Sequence, residues 1–282
     1  MLTKVFTAVR APGTSWEALR DTTGSTVERA IIAGARADRV GYAFANGYAM
    51  AIEALVGDAD GALCATEEGG NHPRAIQTRL SDGRVTGQKK WATLADRAIN
   101  LLVVATEGTD DAGRPRLRVV RVRSDAPGVT LVPATTSFVP EIAHARVTLE
   151  AAPGEVLPGD GYADYLKPFR TIEDIHVHGA LVGYLIGVAR SHGFAPALVE
   201  RLAVVAAALV ALGDEDAKSP GTHLVLGGAL ATSAAVMAEL EGAWAAAPDE
   251  EWTRWQRDRA ILAVAGKARG ERLARAWQVL AR

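Results

Sequence analysis

The sequence holds one cysteine, Cys64, among 282 residues. A lone thiol excludes an intramolecular disulfide and any zinc site built on cysteines, and it fits a reducing cytosol better than secretion. An excess of charge of either sign is also lacking. The formal net charge of −2 gives no electrostatic reason to expect nucleic acid or an anionic membrane as the main partner. The apolar run Leu202 to Leu212 is too short to cross a bilayer and is bounded by Arg201 and Asp214, so no membrane span is expected. Met1 to Arg10 carries two basic residues and no apolar stretch, unlike a signal peptide. There is no internal repeat and no low-complexity tract. With 49% hydrophobic and 23% charged residues the chain can bury a core, and the expectation is a soluble cytoplasmic protein.

Three textures follow one another along the chain. From Thr14 to Val56 the signals are helical: Thr14-Ser15-Trp16-Glu17 and Ser25-Thr26-Val27-Glu28 both have capping-box spacing, and two or three helices should fill the segment. Beyond Gly57, short apolar runs alternate with turn chemistry. Ser81-Asp82-Gly83 precedes Arg84-Val85-Thr86, Asn100 to Ala105 is apolar, Asp110 to Gly113 is a turn, and strands follow near Val129 to Pro133 and Ala145 to Leu149. In Arg116 to Arg123 the alternation slips at Val119-Val120, which predicts a bulge or a strand covered on both faces. After Asp160 the helical period returns through Tyr162–Arg190, Ala197–Leu212, His223–Ala247 and Glu250–Leu280. The last of these shows an apolar stripe beside a basic face that includes Arg269 and Arg272. Four long antiparallel helices make a bundle.

Two segments carry more specific information. Leu63-Cys64-Ala65-Thr66-Glu67-Glu68-Gly69-Gly70 is followed, after a turn-rich stretch, by Gly87-Gln88-Lys89-Lys90-Trp91-Ala92-Thr93. The pair resembles the two flavin-facing segments of the acyl-CoA dehydrogenase family, T-E-P-x-x-G-S and G-x-K-x-W-x-T. Pro127-Gly128-Val129 and Val156-Leu157-Pro158-Gly159-Asp160-Gly161 resemble later elements of the same family. Roughly half the chain is covered well and most of the remainder loosely. The resemblance implies an α+β fold: a shortened helical N-terminal domain over 1–57, a central antiparallel β-barrel-like domain over 58–158, and a C-terminal antiparallel helical bundle over 159–282. It also implies FAD, with Thr66 bonding the ring, the backbone of Leu63, Cys64, Ala65 and Thr66 at its polar edge, Trp91 over one face, and Ala92 and Thr93 close by. An indole offers a rigid π surface, and hydroxyl and backbone donors stabilise the charge of reduced flavin.

The sequence also departs from that pattern. Glu68, Asn71, His72 and Pro73 stand where the family has proline, glycine, serine and aspartate. The His72 imidazole is a candidate donor to a phosphate or thioester oxygen, or else it reshapes a surface turn. Most of the family carries its catalytic glutamate after a Q-x-x-G-G segment. The sequence stops at Trp277 to Arg282, at the start of such a segment, so that base is expected to be missing. A second location is known in the isovaleryl and long-chain branches, six residues before one glycine and ten before another. Counting back from Gly179 and Gly183 gives Glu173. Removing an α-proton needs a poised, desolvated carboxylate, and Glu173 fits either that role or an ordinary place on an amphipathic helix. The usual following arginine is Asp174, so two acids adjoin: one pKa is raised, or both are solvated.

Other residues receive shorter readings. His176 and His178, two apart on a helix, point in different directions and suit packing rather than a metal, and no metal is expected. Cys64 suits a small buried filler. Trp252 and Trp255 suggest a packed seam or a subunit contact. The arginines at 116, 118, 121 and 123 suit charge on an exposed strand edge rather than a CoA phosphate site. The resemblance implies α,β-desaturation of an acyl-CoA or other acyl thioester, with hydride transfer to FAD, in a homo-oligomer or a hetero-oligomer with a longer homologue. The alternatives are a non-catalytic partner subunit and a flavin-free acyl-thioester-binding protein.

Overall fold

The computed structural model of the chain describes residues 1–70, 72–246 and 248–281. Asn71, one of the motif departures, Ala247, the expected end of a helix, and Arg282 lie outside them. The chain forms two compact units: one from Met1–Ala54, Ser137–Val139 and Thr171–Arg282, and one from Leu55–Thr136 and Pro140–Arg170.

The first unit is helical: α1 (Leu2–Thr7), α2 (Thr26–Arg36), α3 (Val40–Val56), α4 (Lys167–Ser191), α5 (Pro196–Leu212), α6 (Pro220–Ala245), α7 (Glu250–Asp258) and α8 (Gly266–Leu280). The α2 start carries the expected capping box, with Ser25 and Glu28 each accepting from the other's backbone N–H. The Thr14–Glu17 box does not form. Between Gly13 and Gly24, both at positive φ, the chain makes only a 3-10 turn at Glu17–Leu19 without a side-chain cap, because so short a stretch nucleates a helix poorly. Backbones of α2 and α4 touch through glycine: a Cβ on Gly34 would lie 1.9 Å from the Ala180 carbonyl oxygen, and one on Gly183 would lie 2.0 Å from that of Ile31. Ile31, Leu181 and Leu185 bury around this crossing.

At another place Arg10 donates to Glu251 (2.7 Å from Nη1), which also accepts from the Tyr184 hydroxyl at 3.1 Å. Around that pair pack Trp244, Trp252, Trp255 and His192, so the expected tryptophan seam is an aromatic cluster within the unit. His192, Asp249 and Glu251 bring one ligand atom each within 4.8 Å of one another. Their oxygens are already engaged: Glu251 by Arg10 and Tyr184, and Asp249 by the Trp252 N–H that it caps.

The helix expected over Glu250–Leu280 is broken, with a 3-10 stretch at Arg259–Ala263 between α7 and α8. Asp258, fully buried, accepts the Val139 N–H at 2.7 Å, and Gly266, a weak helix former, opens α8. On the basic face of α8, Arg269 and Arg272 turn inward to Asp174. The sequence also holds one helix that the apolar-run reading passed over. By length and composition α6 is apolar enough to cross a membrane, a property it shares with core helices; it packs on α5 and α8.

The second unit is an eight-stranded sheet: β1 (Gly61–Cys64), β2 (Arg79–Ser81), β3 (Arg84–Thr93), β4 (Asn100–Thr109), β5 (Pro115–Arg123), β6 (Val129–Ala134), β7 (His144–Pro153) and β8 (Glu155–Val156). Its order is β6-β7-β3-β2-β4-β5-β8, with β1 against β4. Most pairs are antiparallel, but β1 and β2 pair with β4 in parallel, which the hairpin signals did not announce. Asp82 and Gly83, both at positive φ, make the two-residue β2–β3 turn. Val122 on β5 and Leu149 on β7, from distant positions in the order, share one core with Val103 and Val85, so the sheet curls around it. At Val119-Val120 the β4–β5 register is regular and both residues are buried. The slip in alternation therefore marks a covered strand, not a bulge. Gly161, at the head of the π-helical turn Gly161–Leu166, lies on the Leu117–Arg118 backbone.

Candidate functional site

The two motif segments meet in the sheet unit. The Lys90 N–H donates to the Thr66 carbonyl at 2.8 Å, joining the middle of the first segment to the middle of the second. Beside that bond lies a buried ion pair: Lys89 Nζ is 2.6 Å from Glu67 Oε1. Glu67 accepts in addition from the backbone N–H groups of Gln77 (2.7 Å) and Thr78 (3.0 Å). Burial alone would raise the Glu67 carboxyl, but Lys89 and the two N–H donors hold it below the usual carboxylate range. Gly87 is at φ 154°, and a Cβ there would lie 2.5 Å from Thr78 Oγ1, so only glycine lets β3 pass this loop. Glu67 and Lys89 lie in the two motif segments, but no spacing rule pairs a carboxylate and an amine 22 residues apart, so the sequence does not announce the pair.

Trp91 owes its position to a bulge. In the β3–β7 register Lys89 faces Val147 and Ala92 faces Ala145, so three steps on β3 match two on β7. The extra residue lets Lys89 and Ala92 both point inward, and Trp91, at φ 59°, turns outward with 51% of its surface exposed. A bulge that re-aims a large side chain, and a non-glycine residue held in the left-handed region, are features that gather at binding sites. Thr93 pairs with His144 across the ladder, and the His144 ring stands edge-on to Trp91 with centroids 6.3 Å apart. Burial lowers the His144 pKa, against the opposing pull of the Ile142 carbonyl and Asp96. His144 was not picked out from sequence; it lies one residue before the expected strand, and only the register brings it to the tryptophan.

The remaining candidates of the sheet unit fall as follows. Cys64 is fully buried in the core, and burial pushes its thiol up to about 12, so it is an inert filler. Leu63, Ala65 and Thr66 are half-buried along β1 and the loop after it. His72 is exposed, and its Nδ1 accepts the Arg74 N–H at 3.2 Å, shaping the turn at Pro73–Ala75. Of the β5 arginines, Arg121 does not lie on an open edge, since the two-residue β8 pairs there. Arg118, Arg121 and Arg123 pair with Glu107, Glu155 and Asp125.

The helical unit carries Glu173, half-buried on α4. Its neighbour Asp174 is buried, with Arg269 Nη1 3.3 Å from one oxygen and Arg272 on the other. Thus the two acids are not solvated alike. Burial lifts the Asp174 carboxyl to about 6, with the two guanidiniums restraining the rise. His178 Nδ1 lies 2.9 Å from the Asp174 carbonyl and Nε2 lies 3.0 Å from Arg269, which fixes a neutral ring that donates to the carbonyl and accepts from the guanidinium. His176 likewise bonds the Ile172 carbonyl and the Thr26 hydroxyl. Both histidines are packing groups, and burial depresses each to about 4.

No family model and no curated protein matches the sequence. Solved structures do match the fold. Butyryl-CoA dehydrogenase from Megasphaera elsdenii aligns over 98% of this chain and 91% of its own, with a TM-score of 0.71 and 14% identity. FMN-bound TdsC from Paenibacillus sp. A11-2 aligns over 96% and 85%, with a TM-score of 0.68 and 16% identity. The prolyl acyl carrier protein oxidase AnaB aligns over 88% and 82%, with a TM-score of 0.63 and 15% identity. Helices, then a curled sheet bearing the loop and tryptophan strand, then helices again: this chain has the acyl-CoA dehydrogenase fold.

Proposed function

We propose that the chain binds a flavin, FAD by resemblance, at the Thr66 loop and the Trp91 strand, and that it desaturates an acyl thioester. One observation carries this reading. The Lys90–Thr66 bond and the Glu67–Lys89 pair lock the two motif segments together while a bulge leaves the Trp91 indole exposed beside Thr93. The residues present fit an isoalloxazine: a flat π surface is open, hydroxyls of Thr66 and Thr93 stand in the same segments, and the Cys64 side chain is turned away into the core. The likeness to FMN-bound TdsC and to butyryl-CoA dehydrogenase supports a flavin.

In this reading Trp91 supplies a stacking face, and Thr66, Thr93 and the backbone of Leu63, Cys64, Ala65 and Ala92 orient the ring and favour its reduced charge. When bound, the flavin supplies the two-electron acceptor for the hydride leaving the β-carbon. Glu173 takes the α-proton onto its carboxylate as the α and β C–H bonds break and the carbon–carbon double bond forms. The exposed Val204, Val225 and Trp277 leave apolar surface for assembly with a second copy or a longer homologue. The test is the purified protein's visible spectrum, followed by anaerobic addition of a panel of acyl-CoAs. Bound flavin that bleaches in the wild type and is retained but not bleached in Glu173→Gln supports the assignment. Equal bleaching in that variant removes Glu173 from it, and a colourless protein that takes up no added flavin overturns the reading.

A further inference from the structure

A cavity of about 340 Å³ lies within the helical unit, bounded by α4, α6, α8 and the turn before α8. That is at the small end of the roughly 300–1,000 Å³ typical of small-molecule sites. Its walls are mostly apolar, with Leu230, Met237 and Leu273 among them. The titratable groups that line it are His178, His223, Arg269 and Arg272, and no carboxylate is among the described lining residues. Asp174 stands behind the guanidiniums and aims them: Arg269 donates to Asp174, to His178 Nε2 and to the Leu262 carbonyl, and Arg272 donates to Asp174.

Packing alone does not account for this arrangement. Replacing a buried carboxylate–guanidinium cluster by well-packed apolar residues is often neutral or stabilising, and a void beside it forfeits the contacts its lining would otherwise make. A bundle that keeps both has its charged groups held in place next to open space. That is the design of a preorganised binding site.

We propose that this cavity binds a small aliphatic carboxylate, its anionic end at the wall of Arg269 and Arg272 and its tail along Leu230, Met237 and Leu273. The site lies wholly in the helical unit and stands whether or not the flavin assignment holds. Arginine selects carboxylates by its planar fork of donors, and the apolar remainder selects a short hydrocarbon over a sugar or a nucleotide.

Methionine offers a probe. The sequence has three, Met1, Met50 and Met237; Met237 lines the cavity and Met50 is buried in α3. With methyl-labelled methionine in the full chain, titration with hexanoate should shift the Met237 methyl resonance saturably and leave Met50 in place. Loss of one charge-assisted contact corresponds to roughly tenfold or more in affinity, so 1-hexanol should bind at least that much more weakly, and hexylamine more weakly still. Arg272→Met should abolish the preference for hexanoate over hexanol. Leu230→Trp fills the cavity, leaves the charged wall intact and should abolish the shift for every probe. Hexanoyl-CoA should not compete if the free acid is the ligand. The proposal is overturned by an unmoved Met237, by equal affinity for hexanoate and hexanol, by an undiminished shift in Leu230→Trp, or by sedimentation showing that Leu230→Trp dissociates an oligomer whose second copy fills the space.

Discussion

Two buried carboxylates, Glu67 in the sheet unit and Asp174 in the helical unit, sit in similar company and behave in opposite ways. Each faces a cation within hydrogen-bonding distance, yet Glu67 is held below the ordinary carboxylate range while Asp174 is lifted to about 6. The difference lies first in depth, since Asp174 is the more deeply desolvated of the two, and then in the backbone. Glu67 accepts two N–H groups of a turn besides its lysine, whereas Asp174 lies within α4, where the helical amides are already bonded to one another, and has arginines for solvation. Backbone donors add to the lysine in holding the Glu67 charge, whereas at Asp174 two guanidiniums only restrain the rise that deeper burial causes. Glu67 is consequently a fixed anion that fastens two segments together. Asp174 is a base that can be protonated near neutrality and a positioner of arginines.

The largest effect expected from this contrast is in the sheet unit. Lys89→Met leaves Glu67 buried without its cation and should lower stability by about 3–5 kcal/mol, in the range for removing one member of a buried pair. Adding Glu67→Gln should restore part of it. Urea denaturation of the two variants checks this, and a Lys89→Met protein as stable as wild type would mean that the pair is not what joins the segments.

An intermediate effect is expected from acid. His176 and His178 are depressed to about 4 from 6.5, so in that window the unfolded chain binds two protons that the folded chain does not, and stability falls as the pH falls. Asp174, raised to about 6 from 3.8, works the other way: below 6 the folded chain takes up a proton that the unfolded chain releases. Two uptakes against one leave a net loss between pH 6.5 and pH 4. Thermal melts should show the melting temperature dropping across that window, less steeply in His176→Gln and more steeply in Asp174→Asn. A melting temperature that rises on acidification would reverse the sign assigned here.

A smaller effect concerns Trp91. Its left-handed backbone stores strain that glycine relieves, so Trp91→Gly should stabilise the unliganded protein by up to about 1 kcal/mol while weakening flavin binding. Smallest of all, Cys64 should react with thiol reagents only on unfolding, because its thiol is both buried and protonated. Rapid alkylation of the native protein would contradict its place in the core.

Sequence made the sheet unit more legible than the helical one. Turns announce themselves locally, so Asp82-Gly83 and Asp110 to Gly113 mark the β2–β3 and β4–β5 hairpins, and the family resemblance ties together two segments that the Lys90–Thr66 bond joins. The covered centre at Val119-Val120 was one of two readings of the same slip, and only register decided between them. What stayed hidden depends on distance along the chain. Asp174 meets Arg269 and Arg272 across 95 and 98 residues, and a helical wheel of α8 assigns those arginines to solvent because periodicity carries no information about an acid on another helix. The break at Arg259–Ala263 was hidden for the same reason, since Asp258 is anchored by a backbone amide 119 residues away. His144 escaped notice because cross-strand neighbours are set by a bulge that composition does not encode.

The most direct test of the flavin site is a titration of the purified protein with FAD, following flavin absorbance and the quenching of flavin fluorescence, in wild type and in Trp91→Gly. The expected result is a stoichiometric, saturable complex in the wild type and a large loss of affinity in a variant whose fold is as stable or more so. Binding that is unchanged in Trp91→Gly, or no binding by a folded wild-type protein, would contradict a flavin resting between the Thr66 loop and the Trp91 strand.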